Sequence, residues 1–241
     1  MRENFKKRYV LNLKHRKDRY AEFRRRTSPY FDPDLFEVFY GVYGKELNLE
    51  TLSEPYLKNP NTRKGEIGCH LSHRQIWKNI AEDDTINDND LVIVFEDDVF
   101  FSDGFEKNFV EAVNSFNEEN KHFDVFNKFL YIGGRFDKYF TPSQKELDLF
   151  WNRTKNNNRL HKRNHCPSIP RQIIDRTTHV LIFSKYCAKI FLESSLSDEN
   201  KPVAVDLFLL WCHGENKGSI EYYDYIPHLC YSPIDYKTDI Q

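Results

Sequence analysis

An excess of charge of either sign is the first thing missing from this chain of 241 residues: 35 Lys+Arg stand against 37 Asp+Glu, a net charge of −2. With a pI near 6.5, binding of DNA or anionic membrane by bulk charge is excluded, so any anionic ligand must be held by a local site. No apolar run approaches the roughly 18 residues that cross a bilayer, and the charged start Met1–Arg8 has no apolar signal core behind it. A chain without a membrane span and with a cytoplasmic location is the resulting expectation. The cysteines Cys69, Cys166, Cys187, Cys212 and Cys230 are odd in number, widely spaced and free of any CxxC pair. On that pattern the cysteines make neither a disulfide framework nor a zinc site, and buried free thiols are the expectation.

What the sequence has instead is aromatic bulk, with 20 Phe, 14 Tyr and 3 Trp offsetting a mean hydropathy of −0.71. Such a composition argues against disorder, and a chain this long can bury roughly 70–75 % of its unfolded surface without a stapling metal or disulfide. One domain spanning 1–241 is the expectation.

Strand and helix signals alternate along the chain. Arg8–Leu13 and Leu35–Val42 read as strands, with a basic helix at Asp18–Thr27 that Asp18 would cap. A polar stretch containing Gly41, Gly44, Pro55 and Pro60 reads as a functional loop. Over Glu66–Ala81, the apolar positions Ile67, Leu71, Ile76, Trp77, Ile80 and Ala81 approximate a helical stripe. Leu91–Phe95 is the strongest buried-strand signal, and Gly104–Phe116 carries Phe105, Phe109, Val110 and Val113 at helical spacing. Further on, Phe126–Gly134 and Thr178–Phe183 read as strands, Ser184–Leu192 as a helix capped by Ser184, and Leu207–His213 as a helix closed by Gly214. Ile220–Ile226 and Cys230-Tyr231 read as closing strands. The basic, asparagine-rich stretch from Trp151 reads as a mobile loop, extending to Arg171, and its Asn152-Arg153-Thr154 triplet as a chance glycosylation match. Strands alternating with helices imply an α/β layer structure.

Chemistry concentrates where Leu91–Phe95 stops at Glu96, Asp97 and Asp98. In open α/β sheets ligands collect beyond the carboxyl ends of strands, and adjacent carboxylates repel one another unless they share a cation. A hard divalent ion such as Mn2+ or Mg2+ suits oxygen ligands and bridges them to phosphates. An extended chain here would send Glu96 and Asp98 one way and Asp97 the other. The competing reading is a solvated turn. Asp206, in the apolar segment Pro202–Phe208, is either a helix N-cap or a general base, and the segment alone does not choose. His70 and His73 share a helix face without a third ligand at metal spacing, which favours packing or substrate hydrogen bonding. Arg16 and Arg19, just after the first strand, are either phosphate forks or surface residues.

Taken together, Tyr9–Arg19, the block from Gly65 to His73 followed by Ile76-Trp77, and Val94–Asp98 resemble glycosyltransferase family 25. That family includes lipooligosaccharide galactosyltransferases and collagen hydroxylysine galactosyltransferases, and the glycine-to-tryptophan block is closer to the collagen-type branch. Weaker matches follow in order at Tyr131–Gly134, Thr178 with Ile182–Ser184, Pro202–Phe208 and Pro227–Cys230. The resemblance implies a GT-A-type α/β fold with a central mixed, mainly parallel sheet flanked by helices. It also implies a UDP-sugar donor, galactose or glucose, an Mn2+ or Mg2+ ion, inversion at the anomeric carbon, and a hydroxyl acceptor on a glycan or collagen-like protein. By likeness, Asp98 binds metal directly and Glu96 through water, Asp97 meets the ribose, and Asp206 is the catalytic base. Asn12, Leu13, Arg16, Arg19, Glu66, Ser72 and His73 join Asp97 around the donor. The sequence departs from the collagen-type pattern at Ser232-Pro233-Ile234-Asp235, where that branch carries a His. This departure motivates an alternative, a catalytically silent GT-A-like domain that binds glycan or protein; a metal-dependent nucleotide-diphosphate hydrolase is the third reading.

Overall fold

The structure, a computed structural model, describes residues 5–58, 62–119, 126–136, 160–162, 178–197, 201–216, 219–225 and 228–233. Most of the expected loop at 151–171 lies outside the described residues, as do the Asn152-Arg153-Thr154 triplet, Cys166, Ile234 and Asp235. In chain order the elements are β1 (Lys7–Asn12), α1 (Lys17–Thr27), β2 (Glu37–Tyr40), α2 (Lys64–Glu82), β3 (Leu91–Glu96) and β4 (Phe100–Phe101). They continue with α3 (Phe105–Glu118), β5 (Lys128–Tyr131), β6 (Gly133–Phe136), β7 (Leu160–Lys162) and β8 (Val180–Ser184). α4 (Lys185–Leu196), α5 (Val205–Glu215), β9 (Glu221–Tyr225) and β10 (Cys230–Pro233) complete the described set.

Seven strands form the main sheet in the order β2-β1-β3-β8-β5-β9-β7. The pairs β1–β2, β1–β3 and β5–β9 are parallel, whereas β8 runs antiparallel to both β3 and β5, and β7 antiparallel to β9. β2, β1, β3, β5 and β9 thus run one way and β8 and β7 the other, so the sheet is mixed with most strands in one direction, the GT-A-type arrangement expected from the resemblance. A second sheet, β4-β10-β6, has three strands.

Strand alternation divides the core into two layers. Leu91, Ile93 and Phe95 of β3 and Val180 and Ile182 of β8 face a cluster that includes Phe23 of α1 and Phe105, Phe109 and Phe116 of α3. Val92, Val94, Leu181 and Phe183 point to the opposite face, against Trp77 of α2, Phe191 of α4 and Phe208 of α5. Both faces of these strands are covered by helices, which is why their sequences are continuous apolar runs rather than alternating ones.

Several boundaries differ from the sequence expectation. Phe126–Gly134 is not one strand: β5 ends at Tyr131 and β6 starts at Gly133 in the other sheet. The break falls at Ile132, whose carbonyl accepts hydrogen bonds from Leu229 and Cys230 and so ties the chain to the segment entering β10. Leu35 closes a 3-10 turn at Pro33–Leu35, leaving only Glu37–Tyr40 for β2. Asp18 does not cap α1. Arg16 occupies that position, and Asp18 sits in the first turn paired with the Arg16 guanidinium. Gly214 lies inside α5, which ends at Glu215, and Ala204 rather than Asp206 is its N-cap. Ser184 does cap α4, accepting from the backbone N–H of Cys187 at 3.1 Å. The polar stretch after β2 contains 3-10 turns at Gly44–Glu46, Leu49–Thr51 and Pro55–Lys58, with Leu57 packed on Ile67 and Val203.

Helix α2 lies close against the loop after β2 because two glycines remove the side chains between them. A Cβ on Gly68 would come within 2.7 Å of the Val42 carbonyl oxygen and 2.8 Å of the Gly44 nitrogen, and a Cβ on Gly44 within 2.1 Å of the Lys64 carbonyl oxygen. At its middle, α2 holds the segment that enters α5. His70 Nδ1 lies 3.0 Å from the Val203 carbonyl oxygen, and His70 Nε2 lies 3.3 Å from the Tyr56 hydroxyl, which itself donates to the Ser195 carbonyl. Lys201 donates to the Ser194 and Ser195 carbonyls at the end of α4 and stacks over the Tyr56 ring at 4.3 Å. Burial pushes the His70 imidazole down to about 3, so it is neutral and donates from Nδ1.

These two contacts have measurable consequences. In Gly68→Ala the contact with immovable backbone outweighs the propensity gain of up to ~1 kcal/mol, giving a net loss on the order of 1–2 kcal/mol in denaturant unfolding. An unchanged midpoint would mean that the close approach imposes no constraint. For His70, the native form stays neutral below the unfolded pKa of about 6.5 while the unfolded chain binds a proton. Its contribution is therefore complete above pH ~6.5 and is lost as pH falls toward 3. The stability gap between wild type and His70→Gln should narrow by about 2 kcal/mol from pH 7 to pH 5. A gap independent of pH would show that the native imidazole protonates freely.

Candidate active site

Parallel pairing of β1 with β3 sets Leu11 opposite Glu96, so both strands deliver their carboxyl ends to one place. Just beyond, the chain leaves β3 in a turn in which the Val99 N–H donates to the Glu96 carbonyl at 3.3 Å. The chain therefore does not run on extended past Glu96; Glu96 and Asp98 share His179, Asp97 bonds to Asn12, and Arg19 bridges Asp97 and Asp98. Asn12 Nδ2 donates to Asp97 Oδ2 at 2.6 Å. Arg19, raised by the first turns of α1, lies 2.6 Å from Asp97 Oδ1 and 2.9 Å from Asp98 Oδ2 through one nitrogen, Nη2. Arg26, two turns further along α1, donates to the Asp97 carbonyl at 2.9 Å and lies 4.2 Å over the Phe100 ring.

The antiparallel strand β8 brings a histidine to the other side. His179 Nδ1 lies 3.2 Å from Glu96 Oε2 and 3.1 Å from Asp98 Oδ1. Only the first contact has hydrogen-bond geometry, so Asp98 Oδ1 is buried without a hydrogen bond. Glu96 Oε1 accepts from the Thr178 hydroxyl and faces His73 Nε2 at 3.3 Å. Repulsion among the three carboxylates is thereby answered within the protein by Arg19 and His179.

The electrostatics follow from burial opposed by these partners. Burial alone would raise Glu96, but the hydrogen bonds of His179 and His73 hold it well below the ordinary carboxylate value. Asp98 is likewise lowered, with burial opposed chiefly by the His179 charge. Against a burial penalty, Asp98 and Glu96 raise His179 to about 10, so the imidazole is a cation. Asp97 is pushed up to about 7 by burial, with Arg19 acting in the opposite direction. The Cys69 thiol is raised well above its usual value by burial and by the charges of Glu96, Asp206 and Asp98.

Cys69, Glu96, Asp97 and Asp98 border a cleft of about 560 Å³ including its open mouth, between the ends of β1 and β3, the loop after β2 and the first half of α2, whereas His179 is not among its lining residues. Of the donor residues expected from sequence, Asn12, Leu13, Arg19, Ser72 and Asp97 line it together with Glu96 and Asp98. Ser72 donates to the Gly68 carbonyl within α2 and accepts from the Val42 N–H at 2.8 Å, holding the cleft wall. Arg16, Glu66 and His73 are not among the lining residues. Arg16 pairs with Asp18 at 2.9 Å, Glu66 accepts from the Arg63 backbone and guanidinium, and His73 is buried behind Glu96. Asp206 is half-buried in the first turn of α5, close enough for its charge to act on Cys69.

His179 is the residue that sequence reasoning missed. Its only signal was a polar Thr178-His179 pair leading into an apolar strand, and its importance depends on β8 lying antiparallel beside β3. With His179 included, the donor atoms of Glu96, Asp98 and His179 lie within 4.8 Å of one another. Two carboxylates, one carrying a buried oxygen without a hydrogen bond, and one imidazole that must release its proton as the ion replaces it fit a divalent ion of the Mn2+ type.

Comparison with known proteins agrees with this architecture. The family model described as glycosyltransferase family 25 (LPS biosynthesis protein) matches residues 5–209, which contain the acidic strand end, α2, β8 and Asp206. A procollagen galactosyltransferase 1-A from Xenopus laevis is 34% identical over 136 residues, covering 52% of this chain and 20% of that protein. Human procollagen galactosyltransferase 2 is 30% identical over 136 residues, with the same two shares. A procollagen lysyl hydroxylase and glycosyltransferase from Acanthamoeba polyphaga mimivirus is 31% identical over 124 residues, 46% of this chain and 13% of that protein. The chain thus spans a fifth or less of the length of these relatives. A family match that runs through every element of the cleft places the chain in glycosyltransferase family 25.

Proposed function

We propose that this protein is an inverting, metal-dependent hexosyltransferase that moves galactose or glucose from a UDP-sugar to a hydroxyl acceptor on a glycan or a collagen-like, hydroxylysine-containing protein. The observation that carries the reading is the convergence of Asn12, Arg19, Glu96, Asp97 and Asp98 on one cleft, with the Asp206 charge acting on the same wall. The names of the procollagen galactosyltransferase relatives support the donor sugar and acceptor class.

Inversion is a single displacement. The acceptor oxygen attacks the anomeric carbon while the bond from that carbon to the UDP oxygen breaks, and UDP leaves with the electron pair. The acceptor proton needs a base, and that role is assigned to Asp206, half-buried in the first turn of α5. Asp97, fixed by Asn12 and Arg19, keeps spare lone pairs on both oxygens for a ribose hydroxyl. Glu96, Asp98 and His179 are the residues that would hold Mn2+ or Mg2+. When bound, such an ion neutralises the charge growing on the departing diphosphate. Arg19 orients Asp97 and Asp98 and limits their repulsion before the donor arrives.

Thermal unfolding with UDP or a UDP-hexose, with Mn2+ or with chelator, tests the donor site directly. Ligand at about 100 times its Kd should raise Tm by about 5–10 °C, and only with metal. Asp98→Asn should lose this metal-dependent increment. No shift with any uridine nucleotide at saturation would overturn the donor reading and favour a silent binding domain. Asp206→Asn should lower kcat by about 10²–10⁴ while keeping the UDP and Mn2+ shift, because only the proton acceptor is removed. Unchanged turnover would move the base elsewhere.

A further inference from the structure

A second set of metal-ligand atoms adjoins Glu96, and two of its three members, Cys69 and His73, have no part in the proposed transfer. Cys69 and His73 are four residues apart on α2, so their side chains leave the same helix face toward the end of β3. The donor atoms of Cys69, His73 and Glu96 lie within 4.8 Å of one another. His73 Nε2 and Glu96 Oε1 are already 3.3 Å apart, close to the separation of two ligands about 2.0–2.1 Å from one tetrahedral ion. The hydrogen bonds also divide Glu96 between two sides: Oε1 faces Thr178 and His73, and Oε2 faces His179. Cys69 and Glu96 both border the cleft, so the site is reached from its open side.

We infer that Cys69, His73 and Glu96 form a distinct site for Zn2+, or a similarly borderline-soft divalent ion, adjoining the Glu96/Asp98/His179 set and sharing Glu96 with it. The donor chemistry separates the two. Thiolate, imidazole and carboxylate make a three-ligand zinc set with one position open, whereas paired carboxylates with one imidazole suit Mn2+ or Mg2+. Binding breaks the Cys69 S–H bond, with the proton going to buffer and the sulfur lone pair to the metal, and the His73 ring shifts its proton from Nε2 to Nδ1, which has no other partner, so that the Nε2 lone pair is free for the ion. Because Glu96 has one carboxylate for both sites, Zn2+ at the Cys69 site withdraws Oε1 from Thr178 and His73 and restrains the group that Oε2 offers outward. The site stands on α2 and β3 geometry and does not depend on the sugar donor.

The test uses the whole chain, reduced and without nucleotide. Co2+ is the optical probe, and Zn2+ is titrated by calorimetry. Co2+ should give a near-ultraviolet thiolate-to-metal absorption that Zn2+ abolishes. Cys69→Ser should lose the band and weaken Zn2+ by at least about tenfold, and His73→Gln should weaken Zn2+ similarly while its thiol remains. Asp98→Asn should keep the band, since the Cys69 site does not use that carboxylate. Cys69→Ala serves if the serine variant folds poorly. Absence of the band in wild type, or a band that persists without Cys69, would overturn the site whether or not the protein transfers sugar.

Discussion

Three adjacent carboxylates at the end of one strand, two of them buried and Glu96 nearly so, set the condition that the rest of the structure satisfies. Glu96, Asp97 and Asp98 cannot stay ionised side by side in a largely dry setting unless cations are built in beside them. Arg19 supplies one and His179 the other, and each demand fixes an element. The turn after β1 must start α1 so that Arg19 comes up beneath Asp97, and β8 must run antiparallel to β3 so that His179 flanks Glu96. The reversed β8 in a sheet otherwise mostly parallel is thus tied to the charge balance of the cleft.

The opposite wall depends on space rather than charge. Gly44 and Gly68 let α2 meet the backbone of the loop after β2, and Ser72 joins the two by hydrogen bonding to Val42. A helix held that near the sheet edge places Cys69 and Ser72 on the cleft and His73 behind Glu96. One turn away on the same helix, His70 fixes the Val203 carbonyl, three residues ahead of Asp206. Through this single helix the donor side of the cleft and the proposed base are held in register.

How much of this was legible in the sequence follows from the range of each interaction. β3 and its acids were readable because a continuous apolar run stopped by Glu96-Asp97-Asp98 is a local pattern, and Ser184 as a cap is equally local. The break at Ile132 was not, because the chain there is held by Leu229 and Cys230, about a hundred residues later. Asp206 looks like an N-cap in isolation, yet α5 begins one residue earlier, leaving its carboxylate in the first turn. His179 was illegible for the same reason as the Ile132 break: an isolated histidine before a strand carries no signal until the strand's partner and direction are known. That Arg19 and His179 pair with these acids was also hidden, so the sequence pointed to a metal or a solvated turn for repulsion that the two side chains relieve.

That internal compensation constrains what the cleft can offer an ion. Arg19 occupies Asp98 Oδ2 at 2.9 Å, which leaves Oδ1, the buried oxygen without a hydrogen bond, as the atom Asp98 presents. Asp97 is held on one oxygen by Asn12 and on the other by Arg19. The protein therefore supplies few ligands to a hard divalent ion, and most positions around it must be filled by water or by a phosphate-bearing ligand. A site so incomplete favours binding of metal and diphosphate together over binding of metal alone. The same reasoning explains why three carboxylates do not make a stronger cation site than two: the third is committed to holding the arginine that keeps the others in place.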